Sequence, residues 1–153
     1  MQNRISDMTR FFIILAITMA AVSCEKDEIK MPEIRNFELG HDNSKTVHAG
    51  SELHIDADIR AENGIDVIVI EIHFEGYHKK TIIIGNGDHH HEWEVDITMD
   101  KFRGLKNTSF HEHIDVPADA EPGEYHFHFK VIDMEGYTAE IEEDLEVLEP
   151  AAG

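Results

Sequence analysis

The chain has 153 residues, 41% of them hydrophobic, with 13 basic against 32 acidic side chains and a net charge of −19. So acidic a surface repels nucleic acid and anionic lipid headgroups, which excludes both as partners, and it attracts cations. One cysteine excludes an internal disulfide, and the 12 histidines are the feature of the composition that asks for a chemical explanation.

In chain order, Arg4 and Arg10 precede the apolar run "FFIILAITMAAV", which ends at Ser23 and Cys24. A basic segment, about a dozen apolar residues and a small residue before the break are the parts of a secretory signal. The run is shorter than the roughly 20 apolar residues of a spanning helix. Cys24 follows Ala21, Val22 and Ser23. This resembles the lipobox of bacterial lipoproteins, whose cysteine becomes the diacylated first residue, although Ala21 stands where leucine is commonest. "CEKDE" (24–28) resembles the Lys-then-two-acids signal that sends lipoproteins of Bacteroidetes to the outer cell surface.

Residues 1–23 are therefore expected to be a signal peptide, and 24–32 an acidic tether held to the membrane through lipid on Cys24. The expected location is the outer membrane, with the protein exposed at the cell surface. An ordinary cleaved signal with an accidental cysteine is the alternative. Removing residues 1–23 also removes Arg4, Arg10 and Asp7, so the remaining 130 residues carry 11 basic and 31 acidic groups, a net charge of −20. That length suffices for one domain with one core, placed at 33–149.

Strands are predicted over 34–39, 51–60, 66–75, 79–84, 91–98, 108–116, 124–132 and 137–147, because apolar side chains recur there with period two. In "SELHIDADIR", Leu53, Ile55, Ala57 and Ile59 alternate with His54, Asp56, Asp58 and Arg60. "DVIVIEIHFE" begins as a nearly continuous apolar run, then sets Ile70, Ile72 and Phe74 against Glu71, His73 and Glu75. Trp93, Val95, Ile97 and Met99 alternate with four polar residues, and Tyr125, Phe127, Phe129 and Val131 alternate with His126, His128 and Lys130. Turn residues punctuate these runs at "AENG", "GNGD", "PADAEPG" and "DMEG". Only "MDKFRGLKN" (99–107) has room for a helical turn. Short strands at even spacing predict an all-β chain, an immunoglobulin-like β-sandwich of about seven or eight strands.

"VPADAEPGEYHFHFKVIDMEG" resembles the stretch of bacterial immunoglobulin-like domains that leads into their last two strands. The resemblance implies a tyrosine corner at Tyr125; the missing cysteine pair sets the chain apart from antibody domains. Beyond this, "AGSELHIDADI", "GIDVIVIEIH" and "PADAEPGEYHFHFKVID" resemble an uncharacterised family of Bacteroidetes lipoproteins, domain of unknown function 4625. That resemblance implies an Ig-like, histidine-rich lipoprotein and brings no established activity.

In an Ig-type sandwich the strand over 66–75 pairs antiparallel with 124–132, and 51–60 with 108–116. The first pairing gathers His73, His126 and His128 on one outer face, flanked by Glu71 and Glu75 and followed by His78. The second gathers His54, His111 and His113 on the opposite outer face with Asp56 and Asp115, and His48 stands on the loop before them. Both clusters fall toward the same end of the sandwich.

Side chains at i and i+2 on a strand lie about 6.6 Å apart on one face. Two such imidazoles can lean onto one ion at roughly 2.0–2.1 Å, and a third imidazole with a carboxylate or water completes a tetrahedron. This donor set suits Zn(II) first and also Cu(II) or Ni(II). The leading candidate site is His73, His126 and His128 with Glu71, Glu75 or His78 as fourth ligand. His54, His111 and His113 rank second, because Glu112 breaks the alternation of their strand. His89, His90 and His91 read either as a metal scavenger or as a soluble loop, and His41 as an ordinary surface residue.

The function expected is a surface or periplasm-facing lipoprotein that binds a divalent transition metal for acquisition or buffering, with an outer-membrane receptor as its conjectured partner. The alternative is a calcium-stabilised adhesion or assembly module using Asp56, Asp58, Asp133 and Glu135. No catalytic residues are assigned. Three histidines around zinc can activate water, but no general base stands at a telling spacing, and the chain reads as a non-enzyme.

Overall fold

Period-two alternation produces eight strands in the computed structural model, which describes residues 29–76 and 91–151. They are β1 (Glu33–Leu39), β2 (Thr46–His48), β3 (Glu52–Arg60), β4 (Ile65–Gly76), β5 (Val95–Met99), β6 (Asn107–Asp115), β7 (Gly123–Asp133) and β8 (Thr138–Leu148). One sheet has the order β1-β3-β6 and the other β2-β8-β7-β4-β5. Neighbours run antiparallel except β2, which lies parallel to β8. This is the expected all-β, immunoglobulin-like sandwich. The predicted strand over 79–84, His78, His89, His90 and Cys24 lie outside the described residues.

The inward-facing side chains meet as predicted. Leu53, Ile55, Ala57 and Phe110 of the smaller sheet face Ile68, Ile70, Ile72, Phe127, Phe129 and Leu145 of the larger one, all fully buried. Phe110 and Phe129 join the sheets edge-to-face at 4.9 Å and 69°, a favoured aromatic geometry.

Two local features differ from the sequence reading. The strand predicted over 91–98 begins only at Val95, where the ladder with Ile72 opens. His91 instead bridges to Ala120, bonding Asp119 and Glu121 through its backbone at 2.8 Å on each side. The stretch 99–107 holds turns, as expected, with Arg103 N–H donating to the Asp100 carbonyl and Leu105 N–H to that of Phe102. β2 is unpredicted, being three residues long and too short to show a period.

Tyr125 is fully buried, and its hydroxyl donates to the Glu121 carbonyl at 2.7 Å, which makes the tyrosine corner. The same oxygen accepts the Trp93 N–H at 3.4 Å. Tyr125→Phe should cost about 1 kcal/mol, an ordinary net hydrogen bond, read as a lower denaturation midpoint. Desolvation pushes the phenol above its ordinary value. The fold therefore holds its stability while the phenol is neutral and loses it as pH climbs past about 10, where the unfolded phenol ionises first. Ultraviolet titration should find one of the three tyrosines ionising late.

Asp133 is a charged residue buried within the sandwich, 1% exposed. Its carboxylate accepts the Asn63 amide at 2.8 Å and the backbone N–H groups of Glu135 at 3.0 Å and Tyr137 at 2.8 Å. It thereby ties the β3–β4 turn to the β7–β8 turn.

Candidate metal centre

Among the described residues, the outer face of β3 and β6 carries the tightest group of three imidazoles. Their register sets His54 opposite His113 and Asp56 opposite His111. The ring centres of His54, His111 and His113 lie 5.0 to 5.2 Å apart, pair by pair. One ligand atom from each falls within 4.8 Å of the others.

Each ring also has one nitrogen directed at a carboxylate. His111 Nδ1 is 3.0 Å from Asp56, His113 Nδ1 is 3.6 Å from Glu52, and His54 Nε2 is 3.9 Å from Glu38. Such outer carboxylates orient ligand imidazoles and raise their basicity, leaving the other nitrogen as donor to an ion. His54 is the most enclosed of the three, its side chain 12% exposed, and its Nδ1 is buried with no hydrogen-bond partner. A buried polar atom without a partner calls for an explanation, and an ion is one.

Glu112 does not disturb this strand. It occupies the inward position between Phe110 and Ile114, and the ammonium of Lys101 covers its carboxylate. His48 lies on β2 of the other sheet, where Nδ1 contacts the Glu149 carbonyl at 2.6 Å. His41, read from sequence as an ordinary surface residue, sits on a 3-10 turn over His41–Asn43 and stacks on His54, ring centres 5.2 Å apart and planes within 6°.

The second sheet brings His73, His126 and His128 to one outer face, with His73 opposite His126 and Glu71 opposite His128. Their ligand atoms do not converge on each other. His126 is 2.9 Å from Glu75 and 3.6 Å from Asp144; His128 is 3.2 Å from Glu140 and 3.9 Å from Glu142. Among the described residues the metal-competent groups here are Glu75–His126–Asp144 and His128–Glu140–Glu142, and His73 belongs to neither. Glu71 faces Lys130 at 3.9 Å instead. Sequence reasoning missed Glu140, Glu142 and Asp144 because it weighed only the β4 side of β7. The signal was present as the alternating acids of "TAEIEEDLEVL".

The four acids of the calcium alternative form no group among the described residues. Asp56 faces His111, Asp58 accepts the Asn36 amide at 2.7 Å, and Asp133 is buried and turned to three protein donors. His91 pairs with Asp119 at 3.1 Å.

The family described as Domain of unknown function (DUF4625) matches residues 21–148, most of the chain. No curated protein matches the sequence. Among solved structures, the sporulation control protein Spo0M from Bacillus subtilis is similar at 10% identity and a TM-score of 0.46. The match covers 81% of this chain and 51% of that one, so the chain spans about half its length.

Proposed function

This chain belongs to the DUF4625 family, and from that premise we propose that it is a surface lipoprotein that holds a divalent transition ion, zinc first. The proposed ligands are His54, His111 and His113. The observation that carries this reading is the approach of their three ligand atoms to within 4.8 Å of one another. Ligands of a tetrahedral zinc stand about 3.3 Å apart, so small side-chain rotations complete the set. The net charge of −19 favours a cation, and three imidazoles favour a borderline transition metal over calcium. The role served is acquisition or buffering, with an outer-membrane receptor as the natural recipient.

Calorimetric zinc titration of residues 25–153 without a purification tag tests the site. The sandwich lies wholly inside that span. The parent should bind an equivalent that is lost when His54, His111 and His113 are replaced together by alanine. The same equivalent should survive replacement of His73, His126 and His128. Unchanged uptake in a folded His54/His111/His113 variant removes the reading. Affinity should fall as the solution is acidified, because protons compete for the ligand nitrogens. Saturating zinc should raise the melting temperature, by about 2.7 kcal/mol of stability at a hundred times Kd.

Anchoring rests on the lipobox resemblance at Cys24. Cys24→Ala should abolish labelling by a fatty-acid analogue and leave unprocessed precursor. A variant that is labelled and fractionates like the parent would sink this part of the proposal.

A further inference from the structure

We infer that His41 is the fourth ligand of this ion, so that the site is a closed, all-imidazole centre with no position left for water. This rests on the triad reading above and extends it to the β1–β2 turn.

The turn is built to hold His41 against His54. The Gly40 N–H donates to the carbonyl of His54 itself at 2.8 Å, fastening the residue before His41 to the strand position of the most enclosed ligand. Gly40 has φ of 73°, and a Cβ there would meet Ser44 Oγ at 2.7 Å and the Thr46 carbonyl at 3.0 Å, so only glycine makes this approach. Asp42, Asn43 and Lys45 are also left-handed, with φ of 55° or 56°. Asn43 supports the turn by accepting the Leu39 N–H on its side-chain oxygen at 3.2 Å.

Left-handed non-glycine residues cost free energy and persist only where the surroundings hold them. Core packing does not explain the cost here, since no residue of His41–Asn43 is buried. What the conformation achieves is the parallel placement of the His41 ring 5.2 Å from that of His54. A stack of two imidazoles with His41 on the solvent side is weak compensation, whereas a fourth nitrogen for an ion held by the other three is not. The His41 nitrogens are not among the ligand atoms that already lie within 4.8 Å of one another, so on binding the His41 ring turns out of its stack on His54 toward the ion. A tetrahedral site with four protein ligands is the structural type, and one with three keeps an open position.

Cobalt(II) titration of residues 25–153, followed by visible absorption, distinguishes the two. The parent should show the intense bands of a four-coordinate ion, unchanged by added azide. His41→Ala and His41→Phe should both bind cobalt at unchanged stoichiometry, ten- to a hundredfold more weakly, with weaker bands that respond to azide. His41→Phe keeps a ring to stack on His54 but has no donor nitrogen. If it binds cobalt as the parent does, His41 only stacks and the inference fails. An azide-sensitive parent spectrum overturns it equally. The triad reading fails separately, if the folded His54/His111/His113 alanine variant binds cobalt like the parent, and the inference then falls with it.

Discussion

Phe127→Ala is expected to lower folding stability by about 3–5 kcal/mol, seen as a fall in the urea midpoint at constant slope. Phe127 is fully buried on β7, which has β4 on one side and β8 on the other. Its ring lies 5.9 Å from that of Phe37, which comes from the opposite sheet. Truncation removes the transfer free energy of the ring and leaves a cavity between two hydrogen-bonded sheets that cannot collapse into it. The control is the preceding residue. His126 points outward, 46% exposed, so His126→Ala without metal should stay within about 0.5 kcal/mol. A large loss for His126→Ala with a small one for Phe127→Ala would mean that the faces of β7 are inverted.

Asp133→Ala should cost a similar amount, about 3–5 kcal/mol, by a different mechanism. The carboxylate is buried and accepts hydrogen bonds from Asn63, Glu135 and Tyr137. Its removal orphans three donors at once, and each donor left without a partner costs about 1–3 kcal/mol less whatever water recovers. Asp133→Asn should cost less, since its carbonyl oxygen can still serve the two backbone donors while its amide meets that of Asn63. Hydrogen exchange provides the local readout: the Glu135 and Tyr137 amides should lose protection far more in the alanine variant than in the asparagine one. Equal protection in all three proteins would show that the β7–β8 turn does not depend on this carboxylate.

Period-two alternation by itself determined which side chains face the core. Tyr125, Phe127, Phe129 and Val131 are buried and His126 and His128 point out, because a pleated strand sends alternate residues to opposite faces whatever it pairs with. The antiparallel pairing of β3 with β6 and β4 with β7 followed from the sandwich topology, and it brought the predicted histidines to common faces. Ranking those faces required the tertiary structure. On the larger sheet, β8 lies along the far side of β7 and presents Glu140, Glu142 and Asp144, so His126 and His128 turn to carboxylates instead of converging with His73. On the smaller sheet, Lys101 covers the inward Glu112, and a left-handed turn brings His41 back onto His54. Asp133, a surface ligand in the calcium reading, is the buried fastening of two turns. Side-chain direction is a local property of the backbone and is written in the periodicity. The choice of partner for each imidazole depends on which strand lies on its other side, and that is decided only when distant segments meet.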